Sequence, residues 1–271
     1  MESVIGAGSP GLKSQLAEYR EYRGLLWHLV VKELKVRYRQ TTLGLFWALA
    51  QPLLPALILG AVFSRSVSAG NGRAVPYVLF LLAGLVPWSF LSVAVSSASG
   101  AFVSNGYILT KVYFPRAVLP AASVISSCVE FAGGSLILCG WAMIAGWPVR
   151  PTWLWLPLIF VCNAVLSFFI SIGIASLNVL YRDIRHALPF VLQIWMYATP
   201  VLYSPLLVPE KWRWLFGLNP MTVIVLGFRH ALFGIPFDPR LGASSACAAI
   251  LAAIAGTAVF VRLQHKLAEL V

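Results

Sequence analysis

The sequence predicts an all-α integral membrane protein. It has six transmembrane helices, an N-terminal amphipathic helix ahead of them, and a short re-entrant or interfacial hairpin between the fifth and sixth. Three observations carry this prediction. Only 11% of the 271 residues are charged and 59% are hydrophobic, where a soluble domain carries about 25% charged residues. Six stretches, 40–64, 74–110, 117–149, 151–181, 186–209 and 241–261, are free of Lys, Arg and Asp, and carry a single Glu (Glu130) among them. Each supplies the roughly 20 residues that cross about 30 Å of hydrocarbon. The basic residues, finally, divide unequally between the segments that join these stretches.

Taken in order, residues 1–21 are a polar tail with no apolar core of the kind a secretory signal needs, so the first span is expected to act as an uncleaved anchor. Residues 22–39 read as a helix. At 100° per residue Trp27, Val30, Val31, Leu34 and Tyr38 form an apolar stripe, and His28, Lys32, Lys35 and Arg39 form a second stripe about 110° away. Glu33 and Arg37 have the i,i+4 spacing of a helical ion pair. A plain orientation signal needs the charges only. The sustained apolar stripe points to a helix lying in the headgroup layer.

Spans are expected near 43–64, 76–101, 117–145, 153–178, 186–204 and 242–262. Pro52 and Pro55 mark the first as kinked or locally opened. A further uncharged stretch, 214–228, has 15 residues broken by Asn219-Pro220, too short and too interrupted to cross. A hairpin covering about 206–233 fits it, with its irregular backbone sheltered by protein or facing water. With six spans both termini share a side. Thirteen of the twenty Lys and Arg residues fall on that side, which makes both termini cytoplasmic.

The formal net charge of +11 speaks to topology and anionic lipid. No ordered basic and aromatic pattern for RNA accompanies it, so nucleic acid is set aside. Cys128, Cys139, Cys162 and Cys247 lie in apolar segments without CxxC spacing and read as small buried hydrophobes. His28, His186, His230 and His265 lack metal spacing, no HExxH or GxSxG occurs, and GLKS at 11–14 is not a phosphate loop. The chain is therefore read as neither an enzyme nor a metal protein. Glu130, the one acid inside a span, is open to two readings. It is a functional intramembrane carboxyl, or an interior one bonded to Ser126, Ser127 or Ser135. The ten tryptophans gather toward span ends, as an interfacial belt does. Trp47, Trp195 and Tyr197 have a second use, lining a passage whose flat aromatic faces suit a sugar polymer.

Five segments in order resemble one family: KVRYRQTTLGLFWALAQPLL (35–54), LAGLVPWSFL (82–91), NGYILTKVYFPRAVLP (105–120), LNVLYRDIRHALPFVLQIWMYATPVLYS (177–204) and LNPMTVIVLGFRHALFG (218–234). Together they are similar to the membrane subunit of type-2 ABC exporters, in particular those for O-antigen, capsule and teichoic-acid polymers. The resemblance covers about residues 20–262.

The resemblance implies a 22–271 transmembrane domain, a homodimer, and two copies of a separate cytoplasmic ATPase. ATP and Mg would sit on that ATPase, and no cofactor on this chain. It implies a bacterial plasma (inner) membrane location and a lipid-linked glycan as substrate. The helix at 22–39 becomes an interface helix, and Lys32, Lys35, Asn105, Lys111, Phe114 and Pro115 become ATPase-coupling residues. Arg37, Arg39, Arg116, Arg182 and Arg185 become candidates for a lipid pyrophosphate, since guanidinium binds phosphate in a bidentate way. Phe46, Trp47, Trp195, Tyr197 and Tyr203 line the channel. Trp212, Trp214, Asn219, Pro220 and Arg229 belong to an external gate. Two alternatives stay open: an exporter of a drug or small lipid, and an integral-membrane glycosyl or acyl transferase using Arg182, Asp183, Arg185 and His186.

Overall fold

The structure, a computed structural model, describes residues 22–39, 46–63, 66–68, 74–111 and 114–264. The tail 1–21, the first residues of the expected first span (43–45) and the Trp47 side chain lie outside the described residues. The chain runs through α1 (Arg23–Tyr38), α2 (Phe46–Val62), α3 (Tyr77–Ser99), α4 (Ala101–Ser104), α5 (Gly106–Lys111), α6 (Val118–Ser126) and α7 (Cys128–Ile144). It continues through α8 (Leu156–Leu180), α9 (Ile184–Ala198), α10 (Trp214–Gly217), α11 (Thr222–Phe233) and α12 (Pro239–Leu263). Strands β1 (Ser66–Ser68) and β2 (Ala74–Pro76) pair antiparallel between α2 and α3, with Val67 opposite Val75, an element the hydropathy pattern does not reveal.

Helix α3 is apolar on every side and sits at the centre, where Leu79, Phe80, Leu82, Val86, Phe90 and Leu91 are buried. Two asparagines of α8 tie that helix to it. Asn163 donates to the Pro87 carbonyl at 3.0 Å and Asn178 to the Ser99 carbonyl at 2.9 Å. In an apolar surrounding such bonds have no water to compete with them. Helix α12 crosses α8 at glycines: a Cβ placed on Gly173 would stand 2.9 Å from the Gly256 Cα, and one on Gly256 would run into the Phe169 carbonyl oxygen. Leu136 and Ile144 of α7, Leu158 of α8 and Leu251 of α12 point outward, as side chains facing lipid do. Cys162 and Cys247 lie exposed on the same periphery, which corrects the expectation that all four cysteines are buried.

Among the described residues four helical stretches are long and apolar enough to cross a membrane: Tyr77–Ser99, Val118–Ile144, Pro151–Leu180 and Pro239–Leu263. Glu210–Gly217 and Thr222–Phe233 qualify only as a pair, bent by 101° at the Asn219-Pro220 break. Helices α2 and α9 have 17 and 15 residues, about 26 and 22 Å of rise. Pro52 and Pro55 lie inside α2, which continues through them. Helix α9 stops before the expected residue 204 because Pro200 forces Thr199 into extended backbone.

The expected third span runs as one stretch with a single-residue irregularity at Ser127. The hydroxyls of Ser126 and Ser127 both turn back to the Ser123 carbonyl, each at 2.9 Å, which loosens the helical ladder there. Helix α1 packs on α6 through a second, smaller core of Leu29, Val30, Phe102, Phe114, Val118, Leu119 and Ala122. Its buried face is therefore rotated from the expected stripe. Leu29 and Val30 point inward, whereas Trp27 is 64% exposed. The docking partner chose the face that periodicity alone had placed differently.

Candidate functional site

At the end of the bundle that carries α1, a cavity of about 790 Å³ opens between α1, the α3–α4–α5 turn and the start of α9. Lys32, Glu33, Asn105, Asn178, Arg182, Arg185 and His186 line it. Lys32 donates to the Asn105 side-chain oxygen at 2.7 Å, and Asn105 in turn donates to the Ala101 carbonyl at 2.8 Å. Lys32 and Asn105, expected at the ATPase contact, thus share one cavity with Arg182 and Arg185, expected to bind pyrophosphate. Three permanent cations face a single carboxylate, Glu33, so the cavity suits an anion with several oxygens.

The other expected residues of this end lie apart. Lys35 and Arg39 are exposed beside Leu34 and Tyr38 on the far side of α1. Lys111 donates to the Tyr107 hydroxyl at 2.6 Å and sits 4.1 Å from that ring. Arg116 and Pro115 are half-buried. Phe114 is buried in the core beneath α1.

Arg37 also departs from expectation. It does not pair with Glu33 one turn back. It forms the sole ion pair among the described residues, with Glu130 of α7, at 2.5 Å. Its second nitrogen donates to Ser97 at 2.7 Å and Ser126 at 3.4 Å, which leaves the guanidinium facing the bundle and not the cavity. The Tyr38 hydroxyl donates to the same Glu130 oxygen at 2.6 Å. Burial, then the bond and charge of Glu130, hold that phenol well above its ordinary range, so it acts as a neutral donor. Glu130 is buried, with Arg37 and Tyr38 as its partners in place of the expected serines.

At the opposite end, Asn219 ties the hairpin to α9 and α12. Its side chain accepts from Trp195 at 3.0 Å and donates to Thr199 at 2.8 Å, and its carbonyl accepts from Ser245 at 2.6 Å. Trp195 meets the edge of Trp88 at 5.5 Å. Arg229, 1% exposed, lies 3.5 Å from the centre of the Phe80 ring. It donates to the carbonyls of Pro200 at 2.6 Å, Phe80 at 3.3 Å and Tyr203 at 3.4 Å, and also to that of Val201. Trp212 and Trp214 are exposed and Pro220 is partly so; Trp214 joins Glu210, Arg213, Phe237 and Asp238 around a cavity of about 560 Å³.

Between α2 and α9 runs a groove of about 460 Å³, lined by Gln51, Pro55, Trp88, Ser89, Ser92, Met196 and Tyr197. Of the expected channel residues, Tyr197 lies in it, Phe46 is exposed, and Trp195 and Tyr203 are half-buried behind it. The Tyr203 hydroxyl donates to the Tyr197 carbonyl at 2.9 Å. Sequence reasoning missed Gln51, Ser89 and Ser92. Polar side chains inside otherwise apolar spans were the available signal.

The family model of the ABC-2 type transporter matches residues 24–233, the stretch from α1 to the end of α11. The chain belongs to that family. Among curated proteins, this ABC-2 chain is 29% identical over 252 residues to the O-antigen export system permease protein RfbA of Klebsiella pneumoniae, covering 91% of this chain and 96% of that one. It is 31% identical over 221 residues to the protein of the same name from Myxococcus xanthus, covering 80% and 83%. It is 23% identical over 195 residues to the inner membrane transport permease YadH of Escherichia coli K12, covering 69% and 76%. As an ABC-2 permease it is the membrane component of a type-2 ABC exporter.

Proposed function

We propose that this ABC-2 chain is the channel-forming subunit that moves a lipid-linked polysaccharide of the O-antigen class outward across the inner membrane. Two copies work with two copies of a separate ATPase that binds ATP and Mg. The 22–271 unit crosses six times, through α2, α3, α6–α7, α8, α9 and α12, with both termini cytoplasmic. Helix α9 is short for a span, and the turn at 199–203 that follows it completes its crossing.

The observation that carries the reading is the cavity shared by Lys32, Asn105, Arg182 and Arg185. It supports a cytoplasmic site where the interface helix, the 103–116 loop and the diphosphate of a lipid-linked glycan meet. Helix α1 and that loop receive the ATPase stroke. The groove between α2 and α9, facing its copy in the second subunit, forms the glycan path, and the α10–α11 hairpin closes it outside. The names of the relatives in Klebsiella pneumoniae and Myxococcus xanthus support the substrate class.

The test is deletion and reconstitution. Cells lacking the chain are expected to accumulate lipid-linked glycan inside, and the purified chain to bring an ABC ATPase with it. Unchanged glycan export together with new drug sensitivity would assign the chain to small-molecule exporters. Glycan export by the chain without any ATPase would overturn the mechanism.

A further inference from the structure

The Arg37–Glu130 pair lies where three elements meet. Helix 118–144 is continuous but carries a one-residue irregularity at Ser127, where α6 passes into α7. Ser126 ends the α6 half, and Glu130 stands in the first turn of the α7 half. The Arg37 guanidinium reaches both, and through Ser97 it reaches the central helix α3 as well. Tyr38 adds a second donor to the same Glu130 oxygen. One residue of α1 therefore touches both sides of the irregularity.

The rest of α1 grips only one side. Leu29 and Val30 pack against Phe114, Val118 and Leu119 around α6, and Lys32 holds Asn105 in the turn before α5. Helix α1 thus packs on α6, and α7 continues the same stretch past Ser127. Arg37 and Tyr38 link α1 itself to α7 through Glu130. The other Glu130 oxygen is buried with no hydrogen-bond partner among those residues, beside a small void lined by Gln51, Ser89 and Gly134. Among the described residues Glu130 is the titratable side chain that lines the void.

A buried ion pair adds little stability over apolar side chains of the same shape. It does fix geometry, because a guanidinium held by three acceptors has one orientation. Resting on the exporter reading, we propose that Arg37 and Glu130 are coupling residues, the pair that carries displacement of α1 past the Ser127 irregularity into α7. Glu130 is a positioning residue: it acts on α7 and touches no substrate.

The experiment uses the chain with its ATPase partner in proteoliposomes, reading ATP hydrolysis and lipid-linked glycan moved in the same sample. Glu130→Gln and Arg37→Gln are expected to keep ATP hydrolysis within about threefold of the parent and to lower glycan moved per ATP by about tenfold or more. The double variant is expected to be no worse than either single one, as members of one link behave. Should a single variant fail to assemble, the apolar pair Arg37→Met with Glu130→Leu removes both charges together, and it is expected to assemble and to be equally uncoupled. A parental ratio of glycan to ATP in any assembled variant overturns the proposal. So does a loss of both activities in proportion to the amount of folded complex, which is what a purely structural pair would give. A parent that moves no glycan overturns the exporter reading, and this inference with it.

Discussion

Replacing Arg229 with Leu isolates the interaction that holds the end of the fold opposite α1. The guanidinium is buried and donates to four backbone carbonyls, of Phe80, Pro200, Val201 and Tyr203. Two of these, to Phe80 and Tyr203, are long at 3.3 and 3.4 Å, so only the bonds to Pro200 and Val201 count in full. A bond to a charged group contributes about 1.5–3 kcal/mol net, which makes the pair worth roughly 3–6 kcal/mol. Stacking over Phe80 adds about 1 kcal/mol. Relief of the desolvated charge offsets part of this, since a buried cation costs several kcal/mol to hold. The net loss is expected near 3–5 kcal/mol, at the upper end for a single substitution. Arg229→Lys keeps the charge but reaches fewer carbonyls, and about half that loss is expected. Thermal unfolding of the purified protein in detergent, followed by tryptophan fluorescence, reads the effect. At roughly 2–4 °C per kcal/mol a midpoint about 10 °C lower is expected for Leu. A midpoint within about 2 °C of the parent would refute the reasoning, because the segment 199–203 would then be held by something other than this cradle.

Three further outcomes are expected. Gly256→Val drives a side chain into the Phe169 carbonyl and should cost about 2–3 kcal/mol in the same assay, while Gly140→Ala, whose added carbon meets nothing within 4 Å, should be close to neutral. Asn219→Leu strips partners from Trp195, Thr199 and the Met221 amide. It should lower the melting midpoint and make the segment 199–221 the first site of limited proteolysis, at a cost of about 2–4 kcal/mol. Arg182→Gln with Arg185→Gln leaves the fold intact because both side chains are exposed. Glycan export should fall by about tenfold or more, with the amount of assembled complex unchanged as judged by copurification.

The membrane character, the approximate helix positions and the family were legible in the sequence because each rests on local properties. Long apolar runs must satisfy their backbone within themselves, so composition alone places them along the chain. The 214–228 stretch declared itself broken through Asn219-Pro220, since proline acts wherever it stands. Lys32, Asn105, Arg182 and Arg185 could be named one at a time from motif and charge.

Which of those residues lie together was decided only by the tertiary structure. Lys32 and Arg182 are 150 positions apart, and nothing local says that they line one cavity while Arg37, two turns or less from Lys32, turns away from it. Glu33 lay at the ideal helical spacing for Arg37, yet Glu130, 93 residues distant, holds it. A surface pair is worth about 0.3–0.5 kcal/mol, whereas a buried carboxylate left without a cation costs several, so the bundle interior outbids the local spacing. The face α1 buries, the irregularity at Ser127 and the Arg229 cradle have the same origin. Periodicity states that a helix has an apolar side and that a polar group in lipid needs a partner. The packing of distant segments supplies the partner.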